Sequence, residues 1–211
     1  MYIPKYYAQE NEESQESLIR ANPLGTVIST GESGIIANHI PFYLHVDKDT
    51  NKKYLQGHLA KVNHQVPLFK EKGEVLVIFQ SPSSYISPTY YPTKNETHKV
   101  VPTWDFASIH CYGVPRLIDD SDWVRSQLDN ITAQHETKKP VPWKVSDAPE
   151  NYVKLMQKAI IGVEIEITRI ECKFKFEQKM KRHDIDGVID GLVKDEKPEI
   201  ASYVTKANEI P

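Results

Sequence analysis

The segment from Tyr85 to His110 constrains the fold more than any other part of the chain, because it is dense in prolines and aromatic residues. Proline lacks a backbone N–H and fixes φ, so we expect neither a helix nor a long strand ladder here. The prolines in and just before the segment are Pro82, Pro88, Pro92 and Pro102. Its main aromatic residues are Tyr85, Tyr90, Tyr91, Trp104 and Phe106. This composition predicts either the wall of a binding cleft or an aromatic-rich surface loop folded onto the core.

Length and charge narrow the class of protein. A chain of 211 residues suits one domain with a substantial core. The net charge of −3 argues against direct binding to DNA, because duplex binding depends on Lys and Arg neutralising phosphates. The nearest basic cluster, Lys173 to His183, is interpreted as a solvated strand and turn. No apolar run approaches the ~20 residues of a membrane span, and we expect no membrane association.

The N-terminus and the cysteines suggest where the protein resides. The first residues contain no apolar core of a secretory signal. Cys111 and Cys172 are far apart and lack metal-ligand spacing, which is typical of reduced thiols in an intracellular protein. We therefore expect a cytoplasmic protein, with a nuclear location left open for a regulator. We expect no metal site.

Hydrophobic periodicity predicts an α+β protein that is mainly β with helices. Ile35–Val46 alternates like a half-buried strand, and Glu74–Gln80 is a continuous apolar run typical of a covered strand. Ile161 to Thr168 alternates again. Asp120 is a candidate N-cap for one helix, and Asp147 for another. Many antiparallel strands with few helices favour a small barrel with flanking helices.

We expect a single domain over residues 1–211, with four regions. They are a barrel core with cofactor segments at about 1–120, a helical insertion at about 121–160, closing strands at about 161–178, and a helical tail at about 182–211.

The sequence lacks the common catalytic and nucleotide-binding motifs, such as GxSxG, the Walker loop and HExxH. His110 and Cys111 are neighbours on a predicted strand, so they point to opposite faces and cannot form a catalytic pair. A phosphate-bearing cofactor fits better. The segment Gly57–Asn63 places a histidine, a lysine and an asparagine where a strand gives way to a helix. Alternatively, Lys61 is solvated and Asn63 caps the helix.

Ordered motifs along nearly the whole chain carry a resemblance to a known family. They are Met1–Lys5, Ile19–Gly25, Asn38–Pro41, Gly57–Asn63, Tyr85–Pro88, Tyr91–Lys94, Lys99–Trp104, Pro142–Trp143, Val145–Pro149, Ile161–Ile165 and Gly187–Leu192. With these motifs the chain resembles the PaiB-type FMN-binding negative transcriptional regulators of the flavin split-barrel superfamily.

The resemblance implies an antiparallel FMN-binding split β-barrel with flanking helices, which holds FMN at the interface of a homodimer. His58, Lys61 and Asn63 would bind the phosphate. The residues that would line the ring are Ser87, Tyr91, Thr103 and Trp104. The full implied cofactor-binding set is His39, His58, Lys61, Asn63, Ser87, Tyr91, Thr103, Trp104 and Gln178. The resemblance assigns no catalytic residue.

Four departures from the family pattern bear on the cofactor. The family typically has Asn at the position of Asp105, Trp at that of Phe174, a Ser-Gln-Asn run at Glu177–Lys179, and glycine at His98. An extra carboxylate that faced a flavin would disfavour an anionic ring or a phosphate. These departures predict altered or weakened FMN binding.

Three functions follow from the resemblance. The first is flavin binding with a redox or regulatory role. The second is transcriptional repression through DNA or a partner. The third is a flavin- or haem-linked oxidoreductase acting on a small molecule, for which no residue is an obvious acid or base.

Overall fold

The computed structural model describes residues 1–32 and 34–209, and these form ten β-strands and seven α-helices in two compact units. Unit 1 comprises Met1–Leu18, Gln80–Ile109 and Glu171–Pro211. Unit 2 comprises Ile19–Phe79 and His110–Ile170. Ser33 and residues 210–211 of the predicted helical tail lie outside the described residues.

The elements run along the chain as follows. The strands are β1 Leu24–Gly31, β2 Gly34–Pro41, β3 Tyr43–Val46, β4 Lys53–Ala60, β5 Val75–Gln80, β6 Ser84–Ile86, β7 Thr103–Gly113, β8 Pro115–Ile118, β9 Ile160–Glu166 and β10 Arg169–Lys175. The helices are α1 Glu12–Ala21, α2 Gln65–Lys70, α3 Thr93–Thr97, α4 Ser121–Glu136, α5 Glu150–Gln157, α6 Arg182–Lys194 and α7 Pro198–Ala207.

Unit 2 contains antiparallel strands in two groups. In the first, β1 pairs with both β2 and β5, with Thr26 opposite His39 and Ile78. In the second, the order is β3-β4-β9-β8. The β4–β9 ladder buries Leu55 and Val163, among other apolar residues. Each such side chain contributes roughly 1.5–3 kcal/mol by leaving water.

The predicted strand Ile35–Val46 is in fact two strands that belong to different sheets. β2 ends at Pro41 and pairs with β1, whereas β3 pairs with β4. Between them, the fully buried Phe42 donates its backbone N–H to the carbonyl of Pro23 at 2.8 Å. Alternation alone could not reveal this change of sheet, because the inward face continues across it.

Two predicted helix starts in unit 2 have different outcomes. Asp120 caps α4, since its carboxylate accepts a hydrogen bond from the backbone N–H of Trp123 at 2.7 Å. The prediction that Asp147 caps α5 is wrong. Asp147 lies in a separate 3-10 turn, and α5 begins at Glu150, after Pro149, without a side-chain cap.

Unit 1 is built around the first part of β7, with which β6 and β10 both pair. The helices α6 and α7 pack against each other in this unit. The expectation that the prolines exclude helix from 85–110 is wrong. Pro88 opens a 3-10 turn and Pro92 immediately precedes α3, because proline is tolerated where a helix begins.

In the described part of the chain, no helix is both long enough and apolar enough to cross a membrane.

Gly113 in β7 provides a test of the packing in unit 2. A Cβ at this position would overlap the backbone carbonyl oxygen of Glu166 and press on Ile165. We expect Gly113→Ala to lower the free energy of unfolding by about 3 kcal/mol, measured by urea denaturation. Gly73→Ala is the matched control, because a Cβ there meets no atom within 4 Å. Equal effects of the two substitutions would contradict this packing.

Candidate functional site

The Gly57–Asn63 segment lies in unit 2 and connects β4 to α2. Two backbone hydrogen bonds of 2.9 Å fix the turn, from Lys61 N–H to the carbonyl of Ala159 and from Asn63 N–H to that of Ala60. The helix begins at Gln65, four residues after Lys61. The segment is thus an ordered turn with three polar side chains whose directions can be compared.

His58 is half-buried and lies against α4. Its Nδ1 is 2.8 Å from Oε1 of Gln127. An amide oxygen only accepts, so Nδ1 carries the hydrogen and donates it. The Nε2 atom of His58 is then left to act as an acceptor or, when protonated, as a second donor. Gln127 is buried, and its Nε2 has no acceptor among the described residues.

Lys61 is exposed and forms an ion pair with Asp119, at 2.7 Å between Nζ and Oδ1. Both residues line a cavity of about 440 Å³. The lining of this cavity carries charges of both signs, since Arg125 and Lys154 are positive and Glu150 is negative. An exposed pair of this kind contributes little to stability, so the ammonium can exchange Asp119 for another anion at small cost.

Asn63 takes part in a network of amide side chains. Its Oδ1 accepts from the backbone N–H of Gln65 at 2.8 Å and from Nδ2 of Asn38 at 3.3 Å. The N-cap of α2 is His64, which forms no side-chain cap bond, so Asn63 is not the cap and instead binds the first helical N–H from one residue earlier. Asn38 also donates to Oε1 of Gln65 at 3.1 Å. Since neighbouring strand residues point to opposite faces, His39 faces away from this network and is exposed.

Gln65 is the residue in this region that the sequence did not single out. It is fully buried, and its Nε2 donates to the carbonyl of Val27 at 3.0 Å and to Oγ of Ser29 at 2.8 Å. A glutamine in the first turn of a short helix looks like a solvated residue. Only the position of β1 beneath it reveals its role, because the partners are 36 and 38 residues away.

His58, Lys61 and Asn63 thus have three different partners, Gln127, Asp119 and Asn38. Their assignment to a phosphate stays a prediction.

Thr103 and Trp104 lie in unit 1 at the start of β7, where one lysine contacts both. Nζ of Lys175 donates to Oγ1 of Thr103 at 2.7 Å and to the carbonyl of Trp104 at 2.6 Å. The Trp104 side chain is 56% exposed and lies edge-to-face with Tyr85, 6.1 Å between ring centroids. Trp104 is therefore not a core residue, and the two rings form an exposed aromatic surface.

Tyr91 has the opposite environment. It is buried, and its hydroxyl donates to Oε2 of Glu177 at 2.9 Å. Burial, followed by the charge of Glu177, raises the pKa of Tyr91 far above its ordinary value. The phenol therefore stays neutral and serves as a donor inside unit 1.

The side chains of Ser87 and Gln178 form hydrogen bonds with nearby backbone groups. Ser87 accepts from the N–H of Thr89 at 3.2 Å and caps the turn that follows. Gln178 accepts from Phe176 N–H at 2.8 Å and donates to the carbonyl of Phe174 at 2.7 Å. Their place in a cofactor site stays a prediction.

The two departures Asp105 and Glu177 are both buried in unit 1 and interact there, which the sequence did not indicate. Asp105 is fully buried, and neither of its oxygens accepts a hydrogen bond from the described residues. Burial, followed by the charge of Glu177, raises the pKa of Asp105 to about 8, although Lys175 opposes the shift.

The basic cluster Lys173–His183 is largely occupied by neighbours within unit 1. Nζ of Lys173 is 5.3 Å from the centre of the Phe106 ring, and Nζ of Lys179 is 4.0 Å from that of Tyr6. Arg182 forms an ion pair with Asp186 at 2.9 Å. No group of three or more His, Cys, Asp or Glu side chains suited to a metal ion occurs among the described residues.

Comparison with known proteins places these segments in a family context. The model of the family "Putative FMN-binding domain" matches residues 1–169. The chain is 37% identical to uncharacterized protein AN0679 of Emericella nidulans, over 91% of this chain and 90% of that protein. It is 31% identical to "Protease synthase and sporulation protein PAI 2" of Bacillus subtilis, over 94% and 92%.

A solved structure supports the fold. The FAD and Heme binding protein from Mycobacterium smegmatis has a TM-score of 0.59 at 15% identity, over 80% of this chain and 73% of that one. This likeness confirms the predicted α+β fold with an antiparallel split barrel. At this identity it carries the fold alone.

Gln65 provides a test of the amide network. We expect Gln65→Leu to lower the free energy of unfolding by about 2 kcal/mol, because it removes the side-chain donor to the carbonyl of Val27 and to Oγ of Ser29 in the protein interior. Urea denaturation measures the change. The control is Gln80→Leu, at an exposed glutamine that ends β5. A loss no larger than that of the control would show that the network contributes nothing.

Proposed function

The chain belongs to the PaiB-type family of FMN-binding domains, and on this premise we propose that it binds FMN as a homodimer and acts in a redox or regulatory role. The observation that carries the proposal is the extent of the family match. It spans residues 1–169 and so includes both the Gly57–Asn63 segment and the Thr103–Trp104 segment. When bound, the flavin would supply electron transfer, which none of the twenty side chains performs as readily.

The phosphate would be held by residues of the Gly57–Asn63 segment. Lys61 offers an ammonium that forms an exposed ion pair with Asp119, and a dianion competes well for such a cation. Asn63 already directs its Oδ1 to Gln65 and Asn38, so it would position the turn and offer its amide hydrogens. His58 would contribute through Nε2, since Nδ1 is bound to Gln127.

The ring would be held by residues near the start of β7. The exposed faces of Trp104 and Tyr85 are flat and apolar, as a ring requires. Lys175 donates a hydrogen bond to the Thr103 hydroxyl and so holds it in place. Its positive charge favours ligands with negative charge or electron-rich atoms. Tyr91, Ser87 and Gln178 would act indirectly, because their polar atoms are bound within unit 1. His39 would act from the exposed face of β2.

Two exposed aliphatic residues lie in or beside the predicted cofactor segments. Val62 is 88% exposed and lies within the Gly57–Asn63 segment, and Val101 is 75% exposed and precedes Thr103 by two residues. In the proposed homodimer, the flavin or the second subunit would cover these side chains.

Native mass spectrometry and spectral titration test the proposal directly. We expect the purified protein to take up one FMN per chain and to be observed as a dimer carrying two. A protein that stays a monomer and leaves the absorption and fluorescence of added FMN unchanged would refute both parts. The alternative functions, repression through DNA or a partner and a flavin- or haem-linked oxidoreductase, stay predictions.

Lys61→Ala tests the phosphate contact. Loss of a charge-assisted hydrogen bond should weaken FMN binding by about tenfold to a hundredfold. Riboflavin lacks the phosphate, so its affinity should stay unchanged, and Lys48→Ala is the control at another exposed lysine. Fluorescence titration measures both ligands. Equal losses for FMN and riboflavin would assign Lys61 a role away from the phosphate.

Trp104→Ala tests the ring contact. Loss of an aromatic face should weaken FMN and riboflavin equally, by about tenfold. Trp143→Ala is the matched control, because Trp143 is a comparably exposed tryptophan outside the predicted site. If the two variants bind flavin alike, the ring does not contact Trp104.

A further inference from the structure

Two buried carboxyl groups interact inside unit 1. Asp105 comes from β7 and is fully buried, and Glu177, two residues after β10, is also buried. Glu177 has a φ of +66°, in the left-handed region that residues other than glycine rarely adopt. Such a conformation persists only where the surroundings determine it, and here it accompanies a side chain that lies inside the unit rather than in water.

The donors around the pair are too few for two ionised carboxylates. The hydroxyl of Tyr91 donates to Glu177 at 2.9 Å. The ammonium of Lys175 donates short hydrogen bonds to Oγ1 of Thr103 and to the carbonyl of Trp104. Its Nζ is 3.6 Å from Oδ1 of Asp105. Ionised carboxylates only accept hydrogen bonds, so two of them in contact repel each other unless one holds a hydrogen.

We propose that Asp105 and Glu177 share one proton at neutral pH, with Asp105 donating its O–H to Glu177, and that loss of this proton in mild alkali destabilises unit 1. The contact is then a buried acid–carboxylate hydrogen bond and acts as a pH-sensitive element. It involves only residues of this chain and does not depend on flavin.

The other titratable groups around the pair do not remove the need for this proton. They are Lys175 on β10, Tyr91, Tyr7 near the N-terminus, Asp184 on α6, and Lys197 at the start of α7. Lys175 lies at an ion-pair distance of 3.6 Å from Asp105, whereas the ammonium of Lys197 donates to Oγ of Ser84, the residue opposite Asp105 in the β6–β7 ladder. Asp184 adds a negative charge, although it accepts from the N–H and hydroxyl of Thr93. The pKa of Tyr7, like that of Tyr91, is raised by burial first, so both phenols stay neutral.

The direction of the pH dependence follows from the proton count. Burial and the charge of Glu177 raise the pKa of Asp105 from 3.8 to about 8. Between these values the folded chain binds a proton that the unfolded chain has lost. The contribution of Asp105 to the free energy of unfolding is therefore largest at the acidic end of this range. It falls as the pH rises toward 8 and levels off above that pH.

Infrared spectroscopy of the unmodified protein tests the shared proton directly. At pH 7 we expect a carboxylic-acid band that shifts in D₂O and disappears with a midpoint near pH 8. The band should be absent from Asp105→Asn and unchanged in Glu209→Gln, at an exposed carboxylate. A wild-type protein without this band at pH 7 overturns the proposal, whether or not the variants fold.

Thermal unfolding between pH 6 and pH 9 tests the consequence for stability. The wild type and Glu209→Gln should lose about 5 °C or more in Tm across this interval. Asp105→Asn keeps an N–H donor toward Glu177 and has no proton to lose, so its Tm should fall by much less. An equal fall in Asp105→Asn and the wild type overturns the proposal, because the pH effect would then arise elsewhere.

Discussion

The antiparallel ladder between β4 and β9 is the interaction on which the arrangement of unit 2 depends. It pairs every residue of β4 from Tyr54 to Ala60, and it delivers the chain directly into the turn that contains Lys61. The backbone bond from Lys61 to Ala159 extends the same pairing by one residue. The sheet therefore fixes where this turn begins, and the hydrogen bond from Asn63 to Ala60 closes it.

Much of the fold could be predicted because it rests on local patterns. Alternation identified the strands, and an aspartate before an apolar stripe identified the start of α4. The errors arose where a local pattern has two readings. Proline excludes the middle of a helix but suits its beginning, so the segment around Pro92 contains a short helix after all. The alternation of Ile35–Val46 is real, yet the chain changes sheets at Phe42 without breaking it.

The candidate site was harder to predict, because its side chains are bound to residues far away in the sequence. His58 contacts a residue 69 positions away, and Lys61 contacts one 58 positions away. The motif that contains them indicates a family, but it contains no information about these partners. Asp105 and Glu177 were likewise noticed as separate departures, and nothing in the sequence indicated that both are buried in one unit and interact there.

The left-handed backbone at Glu177 has a consequence for anyone who alters this protein. Glycine adopts that conformation without steric cost, so a redesign that sought rigidity alone would choose it. The exchange would relax the turn and, at the same time, remove the acceptor of the Tyr91 hydroxyl and the neighbour of Asp105. The engineered chain would exchange a strained turn for a buried phenol without its acceptor, so the residue with the unfavourable backbone conformation is the one to preserve.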